Sequence, residues 1–409
     1  MSIFQFAWEY KRLVLFGFSL TFFSSFGQTF LISLFVPSFL EAFDISAGYF
    51  GVLYSAATLG SAFTLAWVGS YIDKVPLKRF AFLVVAGLAL SMLFLASSVW
   101  VWMLLLGLFG LRLFGQGLCS HTAHTSMGRY FVTMRGKALS LSNLGFSTGE
   151  AFLPITITAL IGIVGWRMGW AFSSLFVILV LPVVITLTLG RNPMDHAEPG
   201  VREAKDRSGT EPGSEWRRRV VIRDIRFYLF LPAAVASPFL LTGFFLYQTQ
   251  LASFKGWDIE IVATAFIVFA IAKSAASLLS GPLIDRFRAC RLFPFFLLPF
   301  FVGLMLLLLF AQPLIAFAYM TLAGISMGIA ANVTTALYAE LYGTANLGAI
   351  RSMMTMFMVI STAISPILFG TLLDWGIPFS MIIQGSLAYM LLSIILAIFI
   401  YREAENIIS

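Results

Sequence analysis

Three formally charged side chains stand deep inside otherwise apolar stretches of the sequence: Arg112, Glu150 and Lys273. At mid-bilayer each costs roughly 2.5 to 3.5 kcal/mol on insertion scales, so each requires an opposite charge or a wet cavity. The count is two cations against one anion. If Arg112 neutralises Glu150, Lys273 is left to attract an anionic ligand, and a small organic acid suits a lone ammonium group. A carboxyl group in a low-dielectric surrounding also takes up a proton more readily. Glu150, alone or together with Arg112, is therefore the candidate for reversible protonation.

Polar side chains share helical stripes with these charges. Asn143 and Ser147 align with Glu150, Ser277 and Ser280 with Lys273, and Gln116 and Cys119 with Arg112. Gln28, Tyr247, Gln248 and Asn332 also lie in apolar runs, where they serve either as uncharged hydrogen-bonding groups for a ligand or as helix-packing groups. His121 is nine positions from Arg112, about 180° round a helix, so it faces away from that stripe. His124 falls near the end of its run and His196 among charged residues, and all three histidines read as packing, capping or solvated groups. Cys119 and Cys290 offer neither a disulfide framework nor metal-ligand spacing, so no metal or cofactor is expected. No cluster of His, Asp or Cys stands at a run boundary, and an enzyme is not expected.

The elements that must hold these residues are hydrocarbon-spanning helices. With 59% hydrophobic and 11% charged residues, the 409-residue chain has too few charges to cover a soluble globule. A mean hydropathy of +0.93 agrees. Apolar stretches long enough for a hydrocarbon layer of about 30 Å lie near 13–40, 47–71, 79–97, 100–128, 137–164 and 168–189. A second set lies near 227–253, 259–285, 292–310, 314–341, 346–373 and 379–401. The expected domains are thus 1–189 and 227–409, each of six spans, joined by a charged, Pro- and Gly-containing linker over 190–226 with room for a surface amphipathic helix. At 1.5 Å per residue, Glu150 lies about thirteen residues in from 137, Lys273 about twelve in from Asp285, and Arg112 about seventeen in from 129. All three are then near mid-membrane, with Arg112 and Glu150 offset by roughly 6 Å.

One stretch occurs twice, at corresponding places in the two sets. Gly69 to Arg79 and Gly281 to Arg291 both give Gly, two variable residues, Ile, Asp, a cation, and a second cation at the eleventh position. Asp73 with Arg79, and Asp285 with Arg291, are expected to make charge-assisted contacts that close in one conformation and break in another. Lys and Arg gather on the side of these loops, the linker and both termini, which assigns that side to the cytoplasm. The formal charge of +7 therefore reads as membrane orientation rather than nucleic-acid binding.

On these residues the chain resembles the major facilitator superfamily over nearly all its length. The repeated loops look like that family's motif after the second and eighth helices, and Arg112-Leu113-Phe114-Gly115-Gln116-Gly117 is similar to its Arg-containing helix 4 motif. Gly128 to Phe131, Arg135 to Ala138, Gly145, Gly149, Pro154, Gly165-Trp166-Arg167, and Glu340 to Gly343 with Gly348 look like its monocarboxylate and oxalate/formate branch. Where that branch carries an Arg, position 277 is Ser, and Lys273 stands a turn deeper.

The resemblance implies an all-α membrane protein of 12 transmembrane helices in two six-helix bundles. Its function would be secondary active transport by rocking of the halves about a midplane site, with helices 4, 5 and 8 lining the cavity. Internal repeats are how such folds are built. The expected cargo is a small organic anion, monocarboxylate-like, coupled to a proton or another ion. The alternative is an exporter of an amphipathic metabolite or drug, favoured by the Phe- and Met-rich spans. The protein is expected to act as a monomer in the cell (inner) membrane, with both termini cytoplasmic.

Overall fold

In hydrocarbon, every backbone polar group needs a partner inside the chain, and long apolar runs therefore wind into helices. The computed structural model describes residues 3–131, 134–190, 221–342 and 347–408. The spans are α1 (Lys11–Gly27 with Thr29–Phe43), α2 (Ala47–Asp73), α3 (Leu77–Ala96), α4 (Val101–Tyr130), α5 and α6 (within Arg135–Leu189) and α7 (Ile225–Leu246). They continue with α8 (Ile259–Phe287), α9 (Ala289–Leu309), α10 (Leu314–Tyr342), α11 (Leu347–Asp374) and α12 (Phe379–Ile408).

Two breaks decide the count. The 55-residue stretch Arg135–Leu189 contains Gly165 at φ 75° and ψ 167°, a conformation open to glycine, so it is two spans rather than one. Near Gly27 and Gln28 the first span bends by 47°. With those two readings the described residues hold the twelve spans of the sequence expectation. Most of the linker, 191–220, falls outside the described residues, as do His196 and the surface helix expected there.

The chain divides into two compact units: residues 1–45 with 53–211, and residues 46–52 with 212–409. In the first unit α1 packs on α5 and α3 on α6. Small residues allow the close approach: Gly145 lies against the Phe18 carbonyl and Gly149 against Ser25. Hydroxyls lock the pairs, with Thr21 donating to the Ser142 carbonyl and Ser174 to the Ala89 carbonyl at 2.9 Å. In the second unit the largest interface is α8 on α10. There Gly324 and Gly328 bring α10 onto the backbone of α8 at Phe269 and Lys273. The first turn of α2 also belongs to this unit: Ser46 Oγ and the Gly48 amide both donate to the Asp374 carboxylate, at 2.6 and 2.9 Å.

Candidate functional site

In the first unit the break in α1 and a distortion of α4 face each other. Gln28 is extended (φ −87°, ψ 151°), and the amides of Leu31 and Ile32 both turn to its carbonyl. The Gly27 carbonyl, which a continuous helix would give to Leu31, is left as an acceptor. Opposite it, Leu111–Cys119 of α4 forms a π-helical segment, a feature often found at functional positions. Only glycine fits the crossing. A Cβ on Gly27 would run into the Leu111 carbonyl and the Gln116 amide, and one on Gly115 into Gly27.

Arg112 sits in this π segment, 5% exposed. Its Nη1 donates to the Gly27 carbonyl at 3.1 Å, and its guanidinium carbon lies 5.1 Å from the centre of the Tyr54 ring. That ring is fixed in turn by a 2.8 Å hydrogen bond between the Tyr54 hydroxyl and Thr29 Oγ1. Arg112 Nε is buried without a hydrogen-bond partner. A guanidinium offers five donors in a planar fork suited to carboxylates. Here one backbone acceptor and one aromatic face hold it in place.

The sequence left open whether Arg112 and Glu150 pair, and the structure gives the guanidinium other partners. Glu150 is buried at 4% exposure on α5, one residue beyond the Gly149 contact with Ser25, but the partners of the guanidinium are Gly27 and Tyr54. The depth and phase argument assumed uniform α-helix. The π segment begins at Leu111, one residue before Arg112, and changes both. Gln28 lies half-buried at the α1 break, adjacent to Gly27.

The second unit handles its polar residues differently. Lys273 is half-buried on α8, its ammonium 5.6 Å from the centre of the Phe269 ring. Asn332 was read as either a ligand donor or a helix-packing group. Its amide nitrogen donates to the Ser277 carbonyl and Ser280 Oγ, at 2.8 and 2.7 Å, so it ties α10 to α8. Tyr247, fully buried, takes the packing role of its two readings here, its hydroxyl lying 2.9 Å from the carbonyls of both Ala47 and Pro366. Gln248 is buried at the first residue of the short helix Gln248–Lys255 that follows α7.

The repeated loops also differ from expectation. Asp73 pairs with Arg129 at the end of α4, not with Arg79, which is exposed on α3. The reason is geometric: Asp73 closes a 3-10 turn over Gly69–Asp73, and the last turn of α4 passes beside it. Arg129 Nη1 also reaches the Ile72 carbonyl, and His121 Nε2 lies 3.1 Å from the Gly69 carbonyl. In the second copy the Asp285 side chain lies outside the described residues, and Arg291 is exposed in the first turn of α9. The Glu340 carboxylate accepts the amides of Ala289 and Cys290 at 2.8 and 3.0 Å, placing negative charge at the start of α9.

Sequence reasoning missed Tyr54 and Gly27 as parts of the site. Tyr54 lies in an apolar run with nothing to mark it. Ser24-Ser25-Phe26-Gly27-Gln28 was a legible weak point in the first span, although its partner segment in α4 was not.

A family model described as Major Facilitator Superfamily matches residues 17–265 and 245–407. No curated protein sequence matches the chain. Among solved structures the chain is similar to a bacterial homolog of the human lysosomal transporter Spinster in an inward-facing and occupied conformation. The two share 15% identity over 97% of each chain, with a TM-score of 0.72. It is also similar to the nucleoside transporter NupG, at 14% identity over 97% of this chain and 98% of that one, again with a TM-score of 0.72. At these identities the likeness concerns the fold.

Proposed function

The chain belongs to the Major Facilitator Superfamily and is a multi-pass membrane transporter; we propose that its cargo is a small organic anion of the monocarboxylate type, moved together with a proton. The observation that carries this reading is Arg112. A guanidinium buried among apolar helices, held by one carbonyl and one ring and with its Nε left without a hydrogen bond, is a standing demand for an anion. A carboxylate answers that demand with two parallel charge-assisted hydrogen bonds. Tyr54 and Thr29 hold the guanidinium in place before the ligand arrives, which lowers the ordering cost of binding. Gln28 is the neutral donor beside it.

Glu150 supplies the proton site in this proposal. It is a buried carboxyl on the helix that packs against the break in α1, and its protonation would remove a negative charge as the anion enters. The halves then rock to expose the site alternately to each side. The concentration of Lys and Arg on one side favours a cell (inner) membrane protein with both termini in the cytoplasm, acting as a monomer. The stretches Gly128 to Phe131, Arg135 to Ala138 and Glu340 to Gly343, which resemble the monocarboxylate and oxalate/formate branch, favour the organic anion.

The test is uptake of labelled organic acids into proteoliposomes under an imposed pH gradient. An inward-directed proton gradient, with the acid side outside the vesicle, should drive accumulation by the wild type. Glu150→Gln should exchange substrate at equilibrium while losing its response to the gradient. An unaltered pH response in Glu150→Gln rejects the coupling assignment, and uptake of neutral solutes in preference to acids rejects the anion.

A further inference from the structure

The second unit carries a cavity of about 650 Å³ between α7, α11 and α12, in the middle of the size range typical of ligand pockets. Its floor is hydrocarbon: Leu240, Phe369 and Ile382 are buried. Its rim is open, since Ile364, Leu368 and Met381 are exposed. Three hydroxyls line it, and each already has a partner inside the protein. Ser361 donates to the Met358 carbonyl, Ser386 to the Ile382 carbonyl and Tyr389 to the Pro232 carbonyl, at 2.8, 2.8 and 2.9 Å. An occupant that needs hydrogen bonds finds little here, whereas a saturated chain finds a continuous apolar wall.

The length of the groove narrows the choice further. From Ser361 to Leu372 on α11 it runs eleven residues, about 16 Å of helix. Half of a hydrocarbon layer of about 30 Å is nearly the same distance. The groove therefore begins near mid-membrane and ends at the turn between α11 and α12. At that turn stands Trp375, 73% exposed, the type of residue that sits at headgroup level.

We propose that this groove is a seat for one acyl chain of a bilayer phospholipid, with the chain lying along α11 and α12 and the headgroup at the Trp375 end. The site lies wholly in the second unit and does not depend on the anion reading. A lipid seated here differs from the surrounding annulus because it touches three helices at once, so its dispersion contacts are more numerous and its exchange is slower. Gly385 provides the means to close the groove. A Cβ added there meets nothing within 4 Å, so a larger side chain can grow into the groove without a backbone clash.

The experiment uses full-length protein in vesicles of phosphatidylethanolamine and phosphatidylglycerol, doped with a phosphatidylcholine that carries a diazirine in its sn-2 chain. After photolysis, peptides are mapped for adducts. The expected result is several-fold more labelling of the α11–α12 peptides containing Leu368 and Met381 than of the α3 peptide containing Leu83 and Leu90, which are also exposed. Gly385→Phe should bring α11–α12 labelling down to the α3 level and leave α3 unchanged. Gly385→Leu is the milder filler if Phe prevents folding. Equal labelling of the two surfaces in the wild type, or α11–α12 labelling that survives both substitutions, overturns the proposal.

Discussion

Arg112 and Lys273 are both single cations on apolar helices, and the two units treat them in opposite ways. In the first unit the backbone is broken on both sides of the cation: α1 gives up its helix at Gln28, and α4 widens into a π segment. That double break leaves a backbone acceptor and lets the guanidinium be held by Gly27 and Tyr54. In the second unit α8 and α10 stay regular. Glycines at 324 and 328 bring them together, and Asn332 closes the seam on Ser277 and Ser280. Polar side chains on intact helices are consumed by packing, whereas irregular backbone frees groups that can receive a ligand.

Substitutions on the two sides should separate these roles. The largest effect is expected for Arg112→Gln, which removes the charge and should abolish organic-acid uptake in proteoliposomes. Arg112→Lys should not restore it, because an ammonium lacks the planar fork. Full activity in Arg112→Lys would show that charge alone matters, and would erase the distinction between the units. Next comes Gly27→Ala. Its Cβ would meet the backbone of Leu111 and Gln116, so it should cost about 1 to 3 kcal/mol as overpacking does, read as a lowered melting temperature together with lost uptake. Lys273→Gln should weaken substrate affinity less than Arg112→Gln does in the same binding assay; the reverse order would return the site to α8. The smallest effect belongs to Asn332→Ala, expected to lower stability by about 1 kcal/mol for the lost hydrogen bonds, with the substrate Kd unchanged.

Much of the architecture was readable from spacing alone. Apolar runs of span length, the Gly–Asp–cation repeat at 69–79 and 281–291, and the Gly165 break all report local chemistry that a sequence carries explicitly. The site was readable only in part. Arg112 and Glu150 stood out because charges are rare in such runs, yet the Gly27 and Tyr54 partners of Arg112 could not be inferred, since hydropathy and helical phase say nothing of a π segment. Tyr54 was invisible because an aromatic residue in an apolar helix has no distinguishing neighbour in the chain. Asp73 found Arg129 rather than Arg79 because a contact between the ends of α2 and α4 depends on tertiary packing, not on sequence distance.

The most direct measurement is titration calorimetry of the purified transporter with whichever organic acid most stabilises it in a thermal-shift panel, on the wild type, Arg112→Gln and Lys273→Gln. A charge-assisted hydrogen bond contributes about 1.5 to 3 kcal/mol, so Arg112→Gln should weaken Kd about ten- to hundredfold, with Lys273→Gln changing it less. An unchanged Kd in a folded Arg112→Gln protein, or a panel in which no organic acid binds the wild type, contradicts the account.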